Sequence, residues 1–117
     1  MAKNHYLYVD ASLKGFGVVV YSLDYGVPCN AREAHMHEDA KLELAVSTRW
    51  EKEVVLTNNE AEYLALIIGL THSHYHRFYN LSVLSDSQLV VNQLKGIYKV
   101  RKSNLKYFYE KAKDALI

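Results

Sequence analysis

One helix between two short apolar segments limits the folds open to this chain of 117 residues. Thr57, with Glu60 three residues later, forms a capping box, in which side chains satisfy free amides at a helix start. Apolar residues then recur at helical spacing, and Gly69 with the polar stretch THSHYHRF ends the helix by about residue 73. Because a long helix that connects two strands usually makes them parallel, we expect a parallel strand pair with a right-handed crossover.

Four segments predict strands because they are short, apolar and rich in β-branched or aromatic residues. They are His5 to Asp10, Gly17 to Ser22, a segment of uncertain limits within 42–55, and Leu81 to Leu84. Gly15 lies in the tight connection between the first two, which predicts an antiparallel hairpin. The order strand, strand, strand, helix, strand, helix, helix predicts an α/β fold, a mixed sheet of three antiparallel strands plus a parallel strand, flanked by helices.

Two shorter helices are predicted after the fourth strand. Ser85 to Ser87 turns into a helix that runs to about Leu94, and after Gly96 we expect Ser103 to cap a third helix. The third helix carries an apolar stripe made of Leu105, Phe108, Tyr109, Ala112 and Leu116. By contrast, the histidines at 35 and 37, with the acids at 38 and 39, are interpreted as part of a surface loop.

Three carboxylates lie where apolar segments meet a turn or a helix: Asp10, Glu62 and Asp86. If the fourth strand pairs in parallel beside the first, Asp10 and Asp86 emerge together at the carboxyl ends of neighbouring strands, where ligand sites collect. Glu62 lies about 200° around the helix from the capping Glu60, so the two face different surroundings. Each acid alone fits a helix cap or a solvated charge, but gathered carboxylates repel one another unless a cation binds between them.

Length and composition set further limits. The chain is long enough for one domain with its own core, spanning residues 1–117, and too short for two. Its formal net charge is +1, but half of the 14 Lys and Arg residues lie between Lys95 and Lys113. This basic cluster fits either a solvated helix face or a patch that contacts phosphates.

The single Cys29 fits a reducing, cytoplasmic compartment. The longest apolar run is LALIIGL, too short to cross a membrane, so no membrane partner is expected.

Three motifs carry a family resemblance: YVDAS, TNNEAEYLALIIGL and LSVLSDSQLVVNQL. In this order and spacing they resemble the leading motifs of the type 1 ribonuclease H family. The resemblance implies a metal-dependent endonuclease that hydrolyses the RNA strand of RNA/DNA hybrids by a two-metal-ion mechanism. It implies that Asp10, Glu62 and Asp86 are the catalytic metal ligands, for two Mg²⁺ or Mn²⁺ ions. Such hard cations agree with a site of carboxylates without Cys or His.

The resemblance also implies substrate-binding positions. Asn58, Asn59 and Gln88 stand where the family contacts the hybrid, and short amides both donate and accept hydrogen bonds, as 2′-hydroxyls do. Further contacts to the hybrid are expected from four more residues: Ser12, Lys99, Arg101 and Lys102.

The sequence departs from the family at its C-terminal end. Family members carry a fifth strand and a last helix with a fourth catalytic Asp, and this sequence stops before both. Three explanations stay open: a truncated product, a second chain that supplies the missing strand, or an enzyme that works with three carboxylates. Without a fifth strand, Leu81 to Leu84 would be an exposed edge, so we expect self-association or pairing with a second chain there. The alternative function is a catalytically impaired module that binds nucleic acid without cutting it.

Overall fold

The computed structural model describes residues 2–116 and contains one four-stranded mixed sheet. Its strands are β1 (Lys3–Ala11), β2 (Gly15–Asp24), β3 (Lys41–Arg49) and β4 (Leu81–Ser85). They lie side by side in the order β3-β2-β1-β4. The β1–β2 and β2–β3 pairs are antiparallel and the β1–β4 pair is parallel, so the predicted mixed sheet flanked by helices is confirmed. The third strand occupies the beginning of the segment whose limits the sequence left open.

Four helices accompany the sheet: a 3-10 helix at Ala31–Met36, named the cover helix, and the α-helices α1 (Asn58–Tyr75), α2 (Gln88–Leu94) and α3 (Ser103–Leu116). The capping box of α1 is confirmed, because the Thr57 hydroxyl accepts from the Glu60 amide at 3.2 Å and a Glu60 carboxylate oxygen accepts from the Thr57 amide at 2.8 Å.

α1 ends at Tyr75, two residues beyond the predicted end at about residue 73, and Gly69 continues the helix. Gly69 is buried inside α1 and faces the sheet, where a side chain would come within 3.1 Å of Leu7. Its missing side chain therefore lets the helix and the sheet approach each other closely.

The limits of α3 also differ from the prediction. Ser103 does not cap the helix, because the Lys102 carbonyl already accepts from the amides of Leu105 and Lys106, at 3.1 and 3.0 Å. Leu105, Phe108, Tyr109 and Ala112 pack on the core as predicted, but Leu116 is 46% exposed and Ala115 packs in its place. The apolar stripe thus ends one residue earlier than the sequence suggested.

The sheet is covered on both faces. Leu7, Val9, Val18 and Val20 are buried in a core with α1, α2 and α3. Because side chains alternate along a strand, the even-numbered residues of β1 point to the opposite face. On that face Tyr6 packs with Leu23 and with Ala34 of the cover helix in a second, smaller core. Among residues 2–116, no helix has the length and apolar character needed to cross a membrane.

Candidate functional site

Asp10 and Asp86 lie at the ends of neighbouring parallel strands. The register of β1 and β4 runs from His5 opposite Leu81 to Val9 opposite Ser85, and the two aspartates follow directly. Both residues are exposed. The crossover through α1 makes the strands parallel, so the adjacency that the sequence predicted is confirmed.

A cavity of about 640 Å³ opens beside these two aspartates. Residues of β1, β2 and β4 line it, together with residues of the cover helix and of α2. Gly17 of β2 lies directly opposite Asp10 in the antiparallel register. A side chain there would meet only the Val46 carbonyl oxygen, at 4.0 Å, so the absent side chain leaves open space next to Asp10.

Glu62 approaches the aspartates from α1. It is half-buried, and burial is the main cause that raises its pKa. The negative charges of Asp10 and Asp86 raise the pKa further. The three carboxylates therefore lie within electrostatic range of one another. Yet Glu62 is not among the residues that line the cavity. Among the described residues, no three His, Cys, Asp or Glu side chains are close enough together to hold a metal ion.

The chemistry of the three carboxylates fits a hard divalent cation. The ion pairs formed within residues 2–116 are His37 with Asp39 and Lys41 with Glu43, and neither involves the three acids. Carboxylates that repel one another and have no basic partner are stabilised by a bound cation, and oxygen is the ligand that Mg²⁺ and Mn²⁺ prefer.

Glu60, two residues before Glu62, has a different role. Hydrogen bonds from the Thr57 backbone lower the pKa of the Glu60 carboxyl, whereas the pKa of Glu62 is raised. The opposite shifts agree with the separation of roles predicted from helical geometry, in which one glutamate caps the helix and the other faces the aspartates.

The amide residues expected to contact substrate lie at helix starts near this site. Asn58 and Gln88 are the first residues of α1 and α2, and both are exposed, while Asn59 is half-buried. Ser12 is exposed in the β1–β2 turn, where its hydroxyl accepts from the Lys14 amide at 3.1 Å. Asn58 and Asn59 share α1 with Glu62. Ser12 follows β1, which carries Asp10, and Gln88 lies two residues after Asp86.

Lys99, Arg101 and Lys102 do not lie on a helix face. They are exposed in the connection between α2 and α3, so the helix-face interpretation is wrong for these three residues. The connection is attached to the core by Gln93, which accepts from the Tyr63 hydroxyl at 2.6 Å and donates to the Lys99 carbonyl at 3.5 Å. Burial raises the pKa of Tyr63 to about 12, so its hydroxyl stays a proton donor.

Sequence reasoning missed two features around the site. Trp50 packs against Phe16 with ring centres 4.9 Å apart, and its indole donates to the Ser12 carbonyl at 2.8 Å. Trp50 thereby fixes the turn that follows Asp10. Arg32 and His35 of the cover helix line the cavity beside the aspartates. No spacing pattern links these residues to the acids, because a tertiary contact alone brings them together.

Comparisons with known proteins agree with this geometry. Residues 37–116 match the reverse transcriptase-like family. The structure is similar to the N-terminal RNase H domain of a Mycobacterium tuberculosis protein, with a TM-score of 0.73 and 25% identity over 97% of this chain and 78% of that one. It also resembles RNase H1 of Halobacterium salinarum NRC-1, with a TM-score of 0.72 and 22% identity over 97% and 76% of the two chains.

A third similar structure was solved with nucleic acid. LC11-RNase H1 in complex with an RNA/DNA hybrid has a TM-score of 0.60 and 24% identity, over 97% of this chain and 75% of that one. A comparison with curated proteins gave no match. The family match covers more than half of the sequence and the fold is shared throughout, so this chain belongs to the reverse transcriptase-like family, whose fold is that of ribonuclease H.

Proposed function

We propose that this protein is a metal-dependent endonuclease that cuts the RNA strand of RNA/DNA hybrids. One observation carries the proposal: Asp10 and Asp86 follow paired residues of neighbouring strands, Glu62 lies within their electrostatic range, and no basic partner neutralises the three within residues 2–116. The charges of Asp10 and Asp86 raise the pKa of Glu62, and a cation bound between the acids would relieve that repulsion. The RNase H1 solved with an RNA/DNA hybrid has the same fold, which supports the choice of substrate.

Different residues of the chain would bind the metal ions and the substrate. Asp10, Glu62 and Asp86 would hold divalent cations, Mg²⁺ or Mn²⁺, through their carboxylate oxygens. Bound cations would activate a water and stabilise the leaving oxygen of the phosphodiester. The exposed amides of Asn58, Asn59 and Gln88 would recognise 2′-hydroxyls, which distinguish RNA from DNA. Ser12 and the basic residues Lys99, Arg101 and Lys102 would contact the backbone of the hybrid.

Cleavage of a labelled hybrid tests this function directly. We expect the protein to cut the RNA strand in the presence of Mg²⁺ or Mn²⁺, and we expect EDTA to stop the reaction because the carboxylates alone cannot activate water. A DNA duplex of the same sequence is the matched control and should remain intact, since it has no 2′-hydroxyls. Equal cutting of both duplexes, or cutting that EDTA leaves unchanged, would contradict the proposal.

The second candidate is a module that binds hybrid without cutting it. It is favoured by the separation of Glu62 from the cavity, because no three metal-ligating side chains within residues 2–116 are close enough to hold an ion. The same assay separates the two functions. Tight hybrid binding with no cutting under either metal would identify the module, whereas metal-dependent cutting would identify the enzyme.

We further propose that the edge of β4 pairs with a second copy of this chain. Within residues 2–116, β4 pairs only with β1, and its sequence LSVLS carries no charge. The opposite edge strand, β3, carries Lys41, Glu43 and Arg49. Charged side chains protect an edge from pairing and uncharged apolar edges invite it, so β4 is the edge that would associate.

Replacing the exposed Ser82 of β4 by lysine should weaken this association about tenfold, because a charge on an edge strand opposes strand pairing. Sedimentation over a wide range of protein concentration would measure it. Ser47→Lys on β3 is the matched control, since Ser47 is also exposed on an edge strand. A wild-type protein that stays monomeric at high concentration would refute the pairing.

A further inference from the structure

The connection between β2 and β3 places the cover helix on the face of the sheet that carries Asp10. Ala34 of this helix is buried against Tyr6 and Leu23. The hydroxyl of Tyr8 holds the backbone at two points, because it donates to the Ala31 carbonyl at 2.6 Å and accepts from the His35 amide at 3.2 Å. Tyr8 lies two residues before Asp10 on the same face of β1, so the position of the cover helix is tied to that of the acid.

Basic side chains from two elements line the cavity that the aspartates share. Arg32 and His35 come from the cover helix, and Lys95 comes from the C-terminal end of α2. The ring of His35 packs edge-on against the ring of Tyr8, with centres 4.9 Å apart, which fixes its position. One cavity thus combines carboxylates on the strand ends with basic groups on the elements around them.

These basic groups do not neutralise the carboxylates by direct pairing. No salt bridge within residues 2–116 involves Arg32 or Lys95, and both residues are exposed. Arg32 is positioned through its backbone, since its amide donates to the Asn30 side chain at 2.9 Å while its guanidinium has no carboxylate partner among the described residues. An arginine placed in this way keeps its five donors free for a ligand.

The cavity contains both carboxylates and basic groups, so an anionic ligand would be repelled by the carboxylates and attracted by the basic groups. A phosphodiester beside Asp10 and Asp86 would be repelled by the acids unless positive charge faced it from another side. A guanidinium matches phosphate geometry with two parallel hydrogen bonds, and lysine supplies a point charge. We propose that Arg32 of the cover helix, with Lys95, the residue that follows α2, binds backbone phosphates of the nucleic acid strand that lies across Asp10 and Asp86.

This inference rests on the proposed function and makes it more specific. It assigns a substrate contact to Arg32 of the cover helix, a helix that also contains His35, which the sequence had placed in a surface loop. It also explains why Tyr8, Ala34 and Asn30 fix the cover helix so firmly, since a phosphate-binding arginine acts best from a rigid support.

The test compares two arginines by the same substitution. Arg32→Asn and Arg77→Asn each remove one positive charge, and Arg77 lies beyond the end of α1, far along the helix from Glu62. Asparagine suits position 77, whose φ of 58° is in the left-handed region. Both changes are made in an Asp10→Asn protein, so that hybrid binding is measured without cutting.

Arg32→Asn should weaken hybrid binding about tenfold. The association constant should also fall less steeply with salt: on a plot of its logarithm against the logarithm of salt concentration, the magnitude of the slope should decrease by about one, as expected when one phosphate contact is lost. Arg77→Asn should leave the affinity and the salt dependence unchanged. Arg32→Lys should keep the salt dependence because the charge stays, but it should weaken binding because the two parallel hydrogen bonds of the guanidinium are lost.

Three outcomes would overturn the assignment or its basis. If the Asp10→Asn protein binds hybrid and Arg32→Asn matches Arg77→Asn in affinity and slope, the assignment fails while the proposed function stands. If the Asp10→Asn protein and the wild-type protein both fail to bind hybrid, the proposed function fails and the assignment falls with it. If Arg32→Asn lowers the melting temperature more than Arg77→Asn and its binding loss disappears after correction for unfolded protein, Arg32 is structural and the assignment fails.

Discussion

Replacing Asp10 by asparagine is expected to lower metal-dependent cleavage of a hybrid by about a thousandfold or more, since a lost metal ligand removes several kcal/mol of charge stabilisation. Asp10 is the acid of β1 that lines the cavity together with Asp86. Asparagine has nearly the same shape but carries no charge, so the change isolates the role of the carboxylate. Single-turnover cleavage in Mg²⁺ measures the loss.

The hairpin itself supplies the control for this experiment. Asp24 is an exposed acid at the end of β2, paired with Lys3 at the opposite end of the sheet from Asp10. Asp24→Asn should therefore leave cleavage unchanged. Hybrid binding by Asp10→Asn should be kept or strengthened, because one negative charge facing the phosphates is gone. Cleavage at the wild-type rate by Asp10→Asn would exclude Asp10 as a metal ligand.

Replacing Glu62 by glutamine is expected to change activity and stability in opposite directions. Cleavage should be lost with the metal ligand, whereas the metal-free protein at about pH 8 should gain a few degrees in melting temperature. The gain arises because burial and the charges of Asp10 and Asp86 raise the pKa of Glu62, so ionised Glu62 destabilises the folded state. Thermal unfolding in EDTA, followed at several pH values, measures it.

The pH dependence follows from the raised pKa. Below about pH 3, more than a unit under the ordinary Glu pKa, Glu62 is protonated in both the folded and the unfolded chain, so wild type and variant should be equally stable. The folded wild-type protein loses stability relative to the variant as the pH rises through the raised pKa. Glu60→Gln is the matched control in the same helix, and its pKa is lowered, so at neutral pH it should reduce stability and preserve cleavage. A Glu62→Gln protein less stable than wild type at every pH would show a structural role instead.

Much of the fold could be predicted because its signals are local. Thr57 and Glu60 mark the start of α1 within four residues of sequence, and the predicted β1–β2 hairpin forms, although Gly15 is the first residue of β2 and not part of the connection. The crossover through α1 predicts that β1 and β4 are parallel, and because β4 does pair beside β1, Asp10 lies beside Asp86 as expected. Gly69 has a low helix propensity but lies inside α1, where a side chain would come within 3.1 Å of Leu7.

The site could be predicted only in part, because part of it depends on long-range packing. The sequence separates Glu62 from Glu60, since helical geometry is local, but it could not show that Glu62 lies outside the cavity that Asp10 and Asp86 line. It also gave no role to Trp50, which reaches the Ser12 carbonyl across 38 residues. Nothing in the periodicity of residues 30–40 indicated that Arg32 and His35 line the same cavity as the aspartates.

The sequence by itself determined the mixed sheet, the capping of α1 and the adjacent strand ends that carry Asp10 and Asp86, because short-range geometry and the handedness of a crossover decide each of them. The tertiary structure alone decided what surrounds those acids. Burial of Ala34 and the hydrogen bonds of Tyr8 set the cover helix over the sheet, which brings Arg32 and His35 to the cavity. Such contacts join residues distant in sequence, and only the packed chain defines them.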